Sequence, residues 1–132
     1  MGLPGSGKTT LADALSHALD AAWLNADALR RAFDDWDFSE EGRLRQSTRM
    51  AALANLSCKK YVVADFVAAL LQQREIFSPD FIIWMNTIRS GRYEDTNQAF
   101  QPPTDYNIRF DSFEEISLKK VLIAIEDKNE PT

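Results

Sequence analysis

The chain has 132 residues, 45% of them hydrophobic and 27% charged, which is typical of one globular domain. A net charge of −5 without a basic stripe argues against a nucleic-acid partner. The longest apolar stretch, Tyr61–Leu71, is interrupted by Asp65 and is too short to span a bilayer. The lone Cys58 excludes an internal disulfide and indicates a reducing compartment, so we expect one cytoplasmic domain over residues 1–132, with no nucleic-acid or membrane partner.

The first predicted element is a phosphate-binding loop. Residues 2–9 read Gly-Leu-Pro-Gly-Ser-Gly-Lys-Thr and fit the P-loop pattern G-x-x-x-x-G-K-[ST]. Its glycines let backbone N–H groups approach phosphate oxygens, Lys8 would reach the β- and γ-phosphates, and the Thr9 hydroxyl would take a place on Mg²⁺. The alternative is a Gly- and Pro-rich turn before an amphipathic helix. The residues predicted to bind ATP are Gly2, Leu3, Pro4, Gly5, Ser6, Gly7, Lys8, Thr9 and Thr10.

The strand that should lead into this loop is missing from the sequence. A P-loop joins a buried parallel strand to a helix, yet only Met1 precedes Gly2. We expect the strand's place to lie between the apolar segments Tyr61–Phe66 and Phe81–Met85, and we expect the chain to be unstable as an isolated monomer. A truncated gene product, a trimmed chain, or a strand supplied by another chain in a homo-oligomer all stay open.

Strands and helices are predicted to alternate along the rest of the chain. Strands are expected at Ala22–Asn25, Tyr61–Phe66, Phe81–Met85 and Tyr106–Phe110. Helices are expected at Thr9–Asp20, in a short segment ending at Phe33, and at Glu40–Ser57, Ala68–Glu75 and Leu118–Ile125, with a partly helical segment at Thr87–Phe100. This alternation predicts a three-layer α/β/α sandwich with a parallel sheet and right-handed crossovers.

Two acidic residues follow predicted strands, where open α/β sheets bind ligands. Asp27 comes just after Ala22–Asn25, and its alternative role is a helix N-cap. Asp65 ends an apolar run, as in P-loop proteins that hold a water on Mg²⁺, although it could simply cap the strand. His17 is predicted to lie on a helix surface, and Cys58 to be a buried or half-buried thiol.

Five segments, taken in order, resemble the adenylylsulfate (APS) kinases, in particular a compact branch found in phages and marine bacteria. They are G-L-P-G-S-G-K-T-T-L-A at Gly2–Ala12, L-N-A-D-A-L-R at Leu24–Arg30, D-F-S-E-E-G-R-L-R-Q at Asp37–Gln46, V-V-A-D-F-V at Val62–Val67 and E-D-T-N at Glu94–Asn97. The second is similar to the family's D-G-D-x-x-R segment and the third to its F-S-x-x-x-R-x-x-N helix. The resemblance implies phosphoryl transfer from ATP to the 3′-hydroxyl of adenosine 5′-phosphosulfate, with Lys8 and Asp27 as catalytic residues.

The resemblance also implies an acceptor site. Asp27 would position the attacking hydroxyl, Arg30, Arg43 and Arg49 would bind the anionic phosphosulfate, and Phe38 and Phe66 could stack on the adenine. The alternatives are a solvated basic helix face for the arginines and buried core for the aromatic rings. Thr9 and Asp65 are the predicted metal residues, and Arg89 and Arg92 could close over the phosphates as a lid.

This sequence departs from the family at two positions that bear on specificity. Asn25 replaces the first acid of the family's pair, and Ala68-Ala69 stands where Ser-Pro or Cys-Pro is usual. Two other functions stay open: another small-molecule or nucleoside hydroxyl kinase on the same fold, and, because the strand before the P-loop is missing, a nucleotide-binding fragment without turnover.

Overall fold

Helices alternate with parallel strands along residues 1–130, the part of the chain that the computed structural model describes. The elements are α1 (Lys8–Leu19), β1 (Ala22–Asn25), α2 (Ala26–Phe33), α3 (Glu40–Leu56), β2 (Val62–Asp65), α4 (Leu71–Phe77), β3 (Ile83–Met85), α5 (Glu94–Ala99), β4 (Ile108–Phe110), a 3-10 turn (Phe113–Glu115) and α6 (Leu118–Asn129). Within this range, no helix combines the length and the apolar character needed to cross a membrane.

Side-chain caps determine where three of the helices begin. The Asn25 side chain accepts a hydrogen bond from Ala28 N at 2.9 Å, so it caps α2. Ser39 caps α3 in the same way through Gly42 N, as its position before the acidic residues Glu40 and Glu41 predicts. Ser117 caps α6.

The strands form two separate parallel pairs. β1 pairs with β2, with Ala22 opposite Val62 and Asn25 opposite Asp65. β3 pairs with β4, with Ile83 opposite Ile108. The sequence predicts one parallel sheet, whereas the described residues form two two-stranded sheets, because none of their strands lies between β2 and β3.

Two apolar clusters hold the helices against the strands. The first, around α1, β3, β4 and α6, contains the buried residues Leu11, Leu15, Met85, Phe110 and Val121. The second, between β2 and helices α3 and α4, contains the buried residues Met50, Phe66 and Ala68, with Met1, Leu24, Ala64 and Phe77 packed around them. Helices therefore cover the strands with two distinct cores, as expected for layered α/β packing.

Several local predictions are corrected by the structure. α4 begins at Leu71 rather than Ala68, because Ala68 adopts a left-handed backbone conformation with φ of 51°. The apolar positions of the predicted helix Glu40–Ser57 include Leu56 among the expected core residues, yet Leu56 is 79% exposed at the end of α3. Cys58 is exposed rather than buried or half-buried.

Candidate active site

The P-loop wraps tightly over the carboxyl end of β3. Gly2 has φ of 153°, and a Cβ atom there would lie 2.6 Å from the carbonyl oxygen of Met85. Ser6 N donates to Leu3 O at 3.1 Å, and the Thr87 hydroxyl donates to Ser6 O at 2.8 Å. The glycine is required because only a residue without Cβ can bring the loop this close to β3.

The loop leads directly into the amino end of α1. Gly7, with φ of 96°, is the residue before the first turn, and Lys8, Thr9 and Thr10 begin the helix. The first N–H groups of a helix have no acceptor within the helix, and the dipole adds partial positive charge at this end. The Ser6 hydroxyl is buried and has no hydrogen-bond partner within residues 1–130. The loop therefore presents converging donors, as an anion site does.

Lys8 lies folded back onto its own loop. Its Nζ donates to Leu3 O at 3.0 Å. Burial is the main cause that lowers the pKa of Lys8, while the negative charges of Asp65 and Asp27 act in the opposite direction and Arg92 lowers the pKa further. The ammonium group is thus held in a partly dry site close to both predicted acidic residues.

Asp65 connects the P-loop helix to the edge of β1. Its Oδ2 accepts hydrogen bonds from Thr9 Oγ1 at 3.0 Å and from Asn25 Nδ2 at 2.9 Å. The Asp65 side chain is buried, so its negative charge is concentrated next to the loop. Hydroxyl and carboxylate oxygens suit Mg²⁺. Among residues 1–130, no three His, Cys, Asp or Glu side chains are grouped closely enough to hold a metal ion by themselves.

Asp27 is exposed in the first turn of α2. Because Asn25 provides the cap of this helix, the alternative of Asp27 as an N-cap is wrong. The Asp27 carboxylate therefore does not cap the helix. It lies just after the carboxyl end of β1, near enough to Lys8 for its charge to act on that side chain.

Arg30 and Arg43 are buried around an exposed aromatic ring. They are 4% and 5% exposed, so the alternative of a solvated basic face is wrong for both. Arg30 donates to Asp35 O and Asp37 O, while Arg43 donates to Phe38 O at 2.8 Å. The Arg30 guanidinium lies 4.3 Å and that of Arg43 5.6 Å from the centre of the Phe38 ring, which is 43% exposed rather than core. Two buried cations thus lie next to an aromatic ring that remains partly exposed to solvent.

Arg49 is committed to other side chains of the protein. It donates to Gln46 Oε1 at 2.6 Å and to Asp35 Oδ2 at 3.0 Å. Hydrogen bonds from Arg45 and then Arg49 hold the pKa of Asp35 well below its ordinary value. The acidic loop after α2 is therefore held to α3 by ion pairs, and Arg49 contributes to that attachment.

The structure places Phe66 in the second apolar cluster. It is 9% exposed and packs edge-on against Phe77, with ring centres 5.5 Å apart. Of the two roles left open for this ring, core packing is the one that its surroundings favour, since a buried ring has no face available for stacking.

The segment between β3 and α5 covers the P-loop. A Cβ atom at Gly91 would lie 3.1 Å from Pro4 O. Asn97 in α5 exchanges two hydrogen bonds with the backbone of Gly91, and Thr96, its neighbour in α5, accepts from Arg43 Nη2 at 3.1 Å. One short helix thus links the segment over the P-loop to the buried arginines. Arg89 and Arg92, the predicted lid residues, are exposed on this segment.

A cavity of about 520 Å³ lies beside the P-loop, and sequence reasoning missed it. It is lined by Leu3, by residues at the carboxyl ends of β3 and β4, and by the covering segment, including Asn86, Arg89, Phe100 and Asp111. Its volume is within the usual range of ligand pockets, about 300–1,000 Å³. Asn86 and Asp111 directly follow predicted strands, and these polar residues at strand ends could have indicated the cavity from the sequence.

Comparisons with known proteins agree with this geometry. Residues 1–100 match a family described as AAA domain, and no match was found among curated proteins. The solved APS kinase CysC of Mycobacterium tuberculosis, in complex with AMPPNP and APS, is similar with a TM-score of 0.75 and 20% identity, over 96% of this chain and 94% of that chain. Shikimate kinase from Acinetobacter baumannii, in complex with shikimate, has a TM-score of 0.63 and 18% identity, over 98% and 92%. The predicted α/β P-loop fold, and at the level of the fold the resemblance to APS kinases, are confirmed.

Proposed function

This chain belongs to the AAA domain family, and on that premise we propose that it is a P-loop kinase that transfers the γ-phosphoryl group of ATP to the 3′-hydroxyl of APS. Its catalytic residues are Lys8 and Asp27. Arg30, Arg43 and Phe38 bind the acceptor.

The nucleotide phosphates bind in the P-loop. Backbone N–H groups at the start of α1 contact the phosphate oxygens, and the Lys8 ammonium moves from Leu3 O to the β- and γ-phosphates. Because burial already weakens the hydration of Lys8, its charge acts at short range without first losing a full water shell.

Thr9 and Asp65 are the residues that would hold Mg²⁺. Both donor atoms are oxygens and lie 3.0 Å apart, and the Asp65 carboxylate is anchored by Asn25. When bound, Mg²⁺ would neutralise charge on the phosphates. Lys8 and the loop amides would donate to those phosphates directly, whereas Thr9 and Asp65 would act by holding the ion.

The acceptor hydroxyl binds next to Asp27. The carboxylate orients that hydroxyl and accepts its proton as the O–P bond forms. Arg30 and Arg43 offer their charge to the phosphosulfate, and the exposed Phe38 ring next to them stacks on the adenine. The observation that carries the proposal is this pair of buried arginines next to an exposed ring, linked through Thr96 and α5 to the segment that covers the P-loop.

A second candidate is phosphoryl transfer to the hydroxyl of another small acid. Ala68 and Ala69 are 2% and 0% exposed, so they offer no polar side-chain atom where the APS kinases usually have one. Arg30 already donates to two backbone carbonyls, which leaves fewer of its N–H groups for an acceptor. Both observations favour an acceptor with fewer polar contacts than APS.

The test is a screen of acceptors at saturating MgATP. ADP release would be measured with APS, shikimate and a panel of nucleosides and sugar acids, using the natural chain, Asp27→Asn and the matched control Asp34→Asn. We expect the highest kcat/KM with APS, a loss of about 10²-fold or more in kcat in Asp27→Asn with ATP affinity preserved, and no change in the control. Preference for another acid would establish the second candidate. ATP binding without ADP release above background for any acceptor would refute the kinase assignment.

A further inference from the structure

The Asn25 side chain uses both ends of its amide at the carboxyl edge of the strands. Asn25 is the last residue of β1 and lies opposite Asp65, the last residue of β2, in the parallel register. Its Oδ1 accepts from Ala28 N at 2.9 Å, and its Nδ2 donates to Asp65 Oδ2 at 2.9 Å. One half-buried amide therefore joins the first turn of α2 to the end of β2.

Capping of α2 does not by itself require an amide at this position. Aspartate and asparagine rank about equally as N-caps, and a negative charge favours this end of a helix. An ionised aspartate, however, has no N–H group to donate. Its carboxylate would face that of Asp65 at the same short distance, where like charges repel. The contact with Asp65, rather than the cap, is therefore the reason that an amide is needed at Asn25.

The Asp65 carboxylate is restrained by donors from two different elements. Asn25 Nδ2 reaches Asp65 Oδ2 from β1, and Thr9 Oγ1 reaches the same oxygen from α1 at 3.0 Å. Two donors on one oxygen limit the rotation of the carboxylate, and Asp65 Oδ1 is not engaged by either of them. Side chains that hold a metal ion depend on such outer partners for their orientation. Asn25 can therefore set the direction in which Asp65 presents its charge.

The same amide holds the turn of α2 that carries Asp27. The Ala28 N–H group lies in the first turn, where backbone N–H groups have no acceptor within the helix, and Asn25 Oδ1 provides one. On the other side of Asp27, the buried Gln46 side chain donates to Ala26 O at 3.0 Å. The backbone is thus held both before and after Asp27, and Asn25 makes one of these two attachments.

We propose that Asn25 is a positioning residue whose single amide holds Asp65 and Asp27 in one fixed relation. The inference rests on the proposed kinase function, in which Asp65 holds Mg²⁺ and Asp27 binds the acceptor hydroxyl. Asparagine in place of the acid of the APS kinases is then not the loss of a catalytic group. It exchanges a carboxylate for a donor that orients Asp65. Asn25 acts through the two carboxylates rather than on the nucleotide or the acceptor.

The test separates the two bonds of Asn25 with variants of the full chain. Asn25→Ser keeps a good N-cap, but its short side chain cannot cap α2 and also reach Asp65, whereas Asn25→Ala removes both bonds. The matched control is Asn107→Ser, because the exposed Asn107 accepts from Ile82 N at 2.7 Å at the amino end of β4, the strand edge opposite the P-loop. Calorimetry measures the affinity for AMPPNP with Mg²⁺ and with EDTA, beside thermal melts. Asn25→Ser is also combined with Asp65→Asn.

Asn25→Ser should weaken AMPPNP binding in Mg²⁺ by about 10–100-fold, the usual cost of removing a partner that orients a metal-holding side chain, and by less than about twofold in EDTA. Its Tm should stay close to that of the natural chain, whereas the Tm of Asn25→Ala should fall because the cap is lost. In the Asp65→Asn background, Asn25→Ser should cause no further loss, because the carboxylate that it orients is absent.

Equal losses of affinity in Mg²⁺ and EDTA, additive losses in the double variant, or an equal loss in Asn107→Ser would overturn the link to Asp65. The link to Asp27 is read from kcat, which should be lower in Asn25→Ala than in Asn25→Ser because only alanine releases the turn of α2. Equal kcat values would overturn that link. AMPPNP binding does not depend on turnover. A natural chain that binds AMPPNP with Mg²⁺ but phosphorylates no acceptor would therefore refute the proposed kinase, while a Mg²⁺-dependent loss in Asn25→Ser would still support the link to Asp65.

Discussion

Replacement of Asp65 by asparagine tests the metal residues most directly. Asp65 Oδ2 accepts from both Thr9 and Asn25, at 3.0 and 2.9 Å. A single amide oxygen in the same place can accept both bonds, so Asp65→Asn preserves shape and removes charge. A bond to a charged acceptor is worth about 1.5–3 kcal/mol and a neutral one about 0.5–1.5 kcal/mol, so two bonds lose about 2 kcal/mol together.

We expect this variant to stay folded, with Tm lower by roughly 5–10 °C. Its kcat should fall by about 10²–10³-fold, the scale for removing one preorganised electrostatic group. Half-maximal activation should require more Mg²⁺. The assay is ADP release over a Mg²⁺ titration, beside a thermal melt of the same samples. The matched control is Asp13→Asn, an exposed carboxylate on the helix that carries Thr9.

Unchanged Mg²⁺ dependence and kcat in Asp65→Asn would remove Asp65 from the metal site and leave it as a cap of β2. An equal loss in Asp13→Asn would mean that overall charge, rather than the Asp65 oxygens, controls activity.

Three further predictions concern charge. Lys8→Ala should lower activity about 10²-fold or more with the melt unchanged, and near-normal turnover would refute the P-loop assignment. Arg43→Ala should raise the acceptor KM about ten- to a hundredfold, and the size of this increase should depend on salt concentration. Thr96→Val removes only the hydroxyl partner of Arg43, so it should destabilise the protein without changing the KM. Because hydrogen bonds from arginines depress the pKa of Asp35, its contribution to stability is present above the unfolded pKa of about 4 and is lost as pH falls through the folded pKa. Asp35→Asn should therefore flatten the decline of Tm measured from pH 5 down to pH 2, and an unaltered decline would count against the ion pairs.

Local interactions made much of the fold predictable from the sequence. β1 at Ala22–Asn25 lies where predicted, and α3 begins at Glu40 as predicted, with Ser39 as its cap. Each of these features depends on residues that are close together in the sequence. A side chain that caps the N–H group three residues ahead is an example. The P-loop belongs to the same class, since its glycines, Lys8 and Thr9 are contiguous.

Contacts between distant residues decided the rest. Thr9 meets Asp65 across 56 positions and Arg43 meets Thr96 across 53. The spacing of hydrophobic residues along a helix does not indicate whether an arginine on that helix will be buried. The burial of Arg30 and Arg43 could therefore not be predicted from the sequence. The left-handed Ala68 also moved the start of α4 against its helical sequence pattern.

The sequence by itself determined that a P-loop, acidic strand ends and alternating helices and strands occur in this order, because those patterns record short-range sterics and hydrogen bonding. Only the tertiary structure decided that Asn25 anchors Asp65, that Phe38 is exposed next to two buried arginines, and that the strands separate into two pairs. These features depend on contacts and backbone hydrogen bonds between segments that are far apart in the sequence. Such contacts form only when the whole chain packs, so local sequence patterns do not determine them.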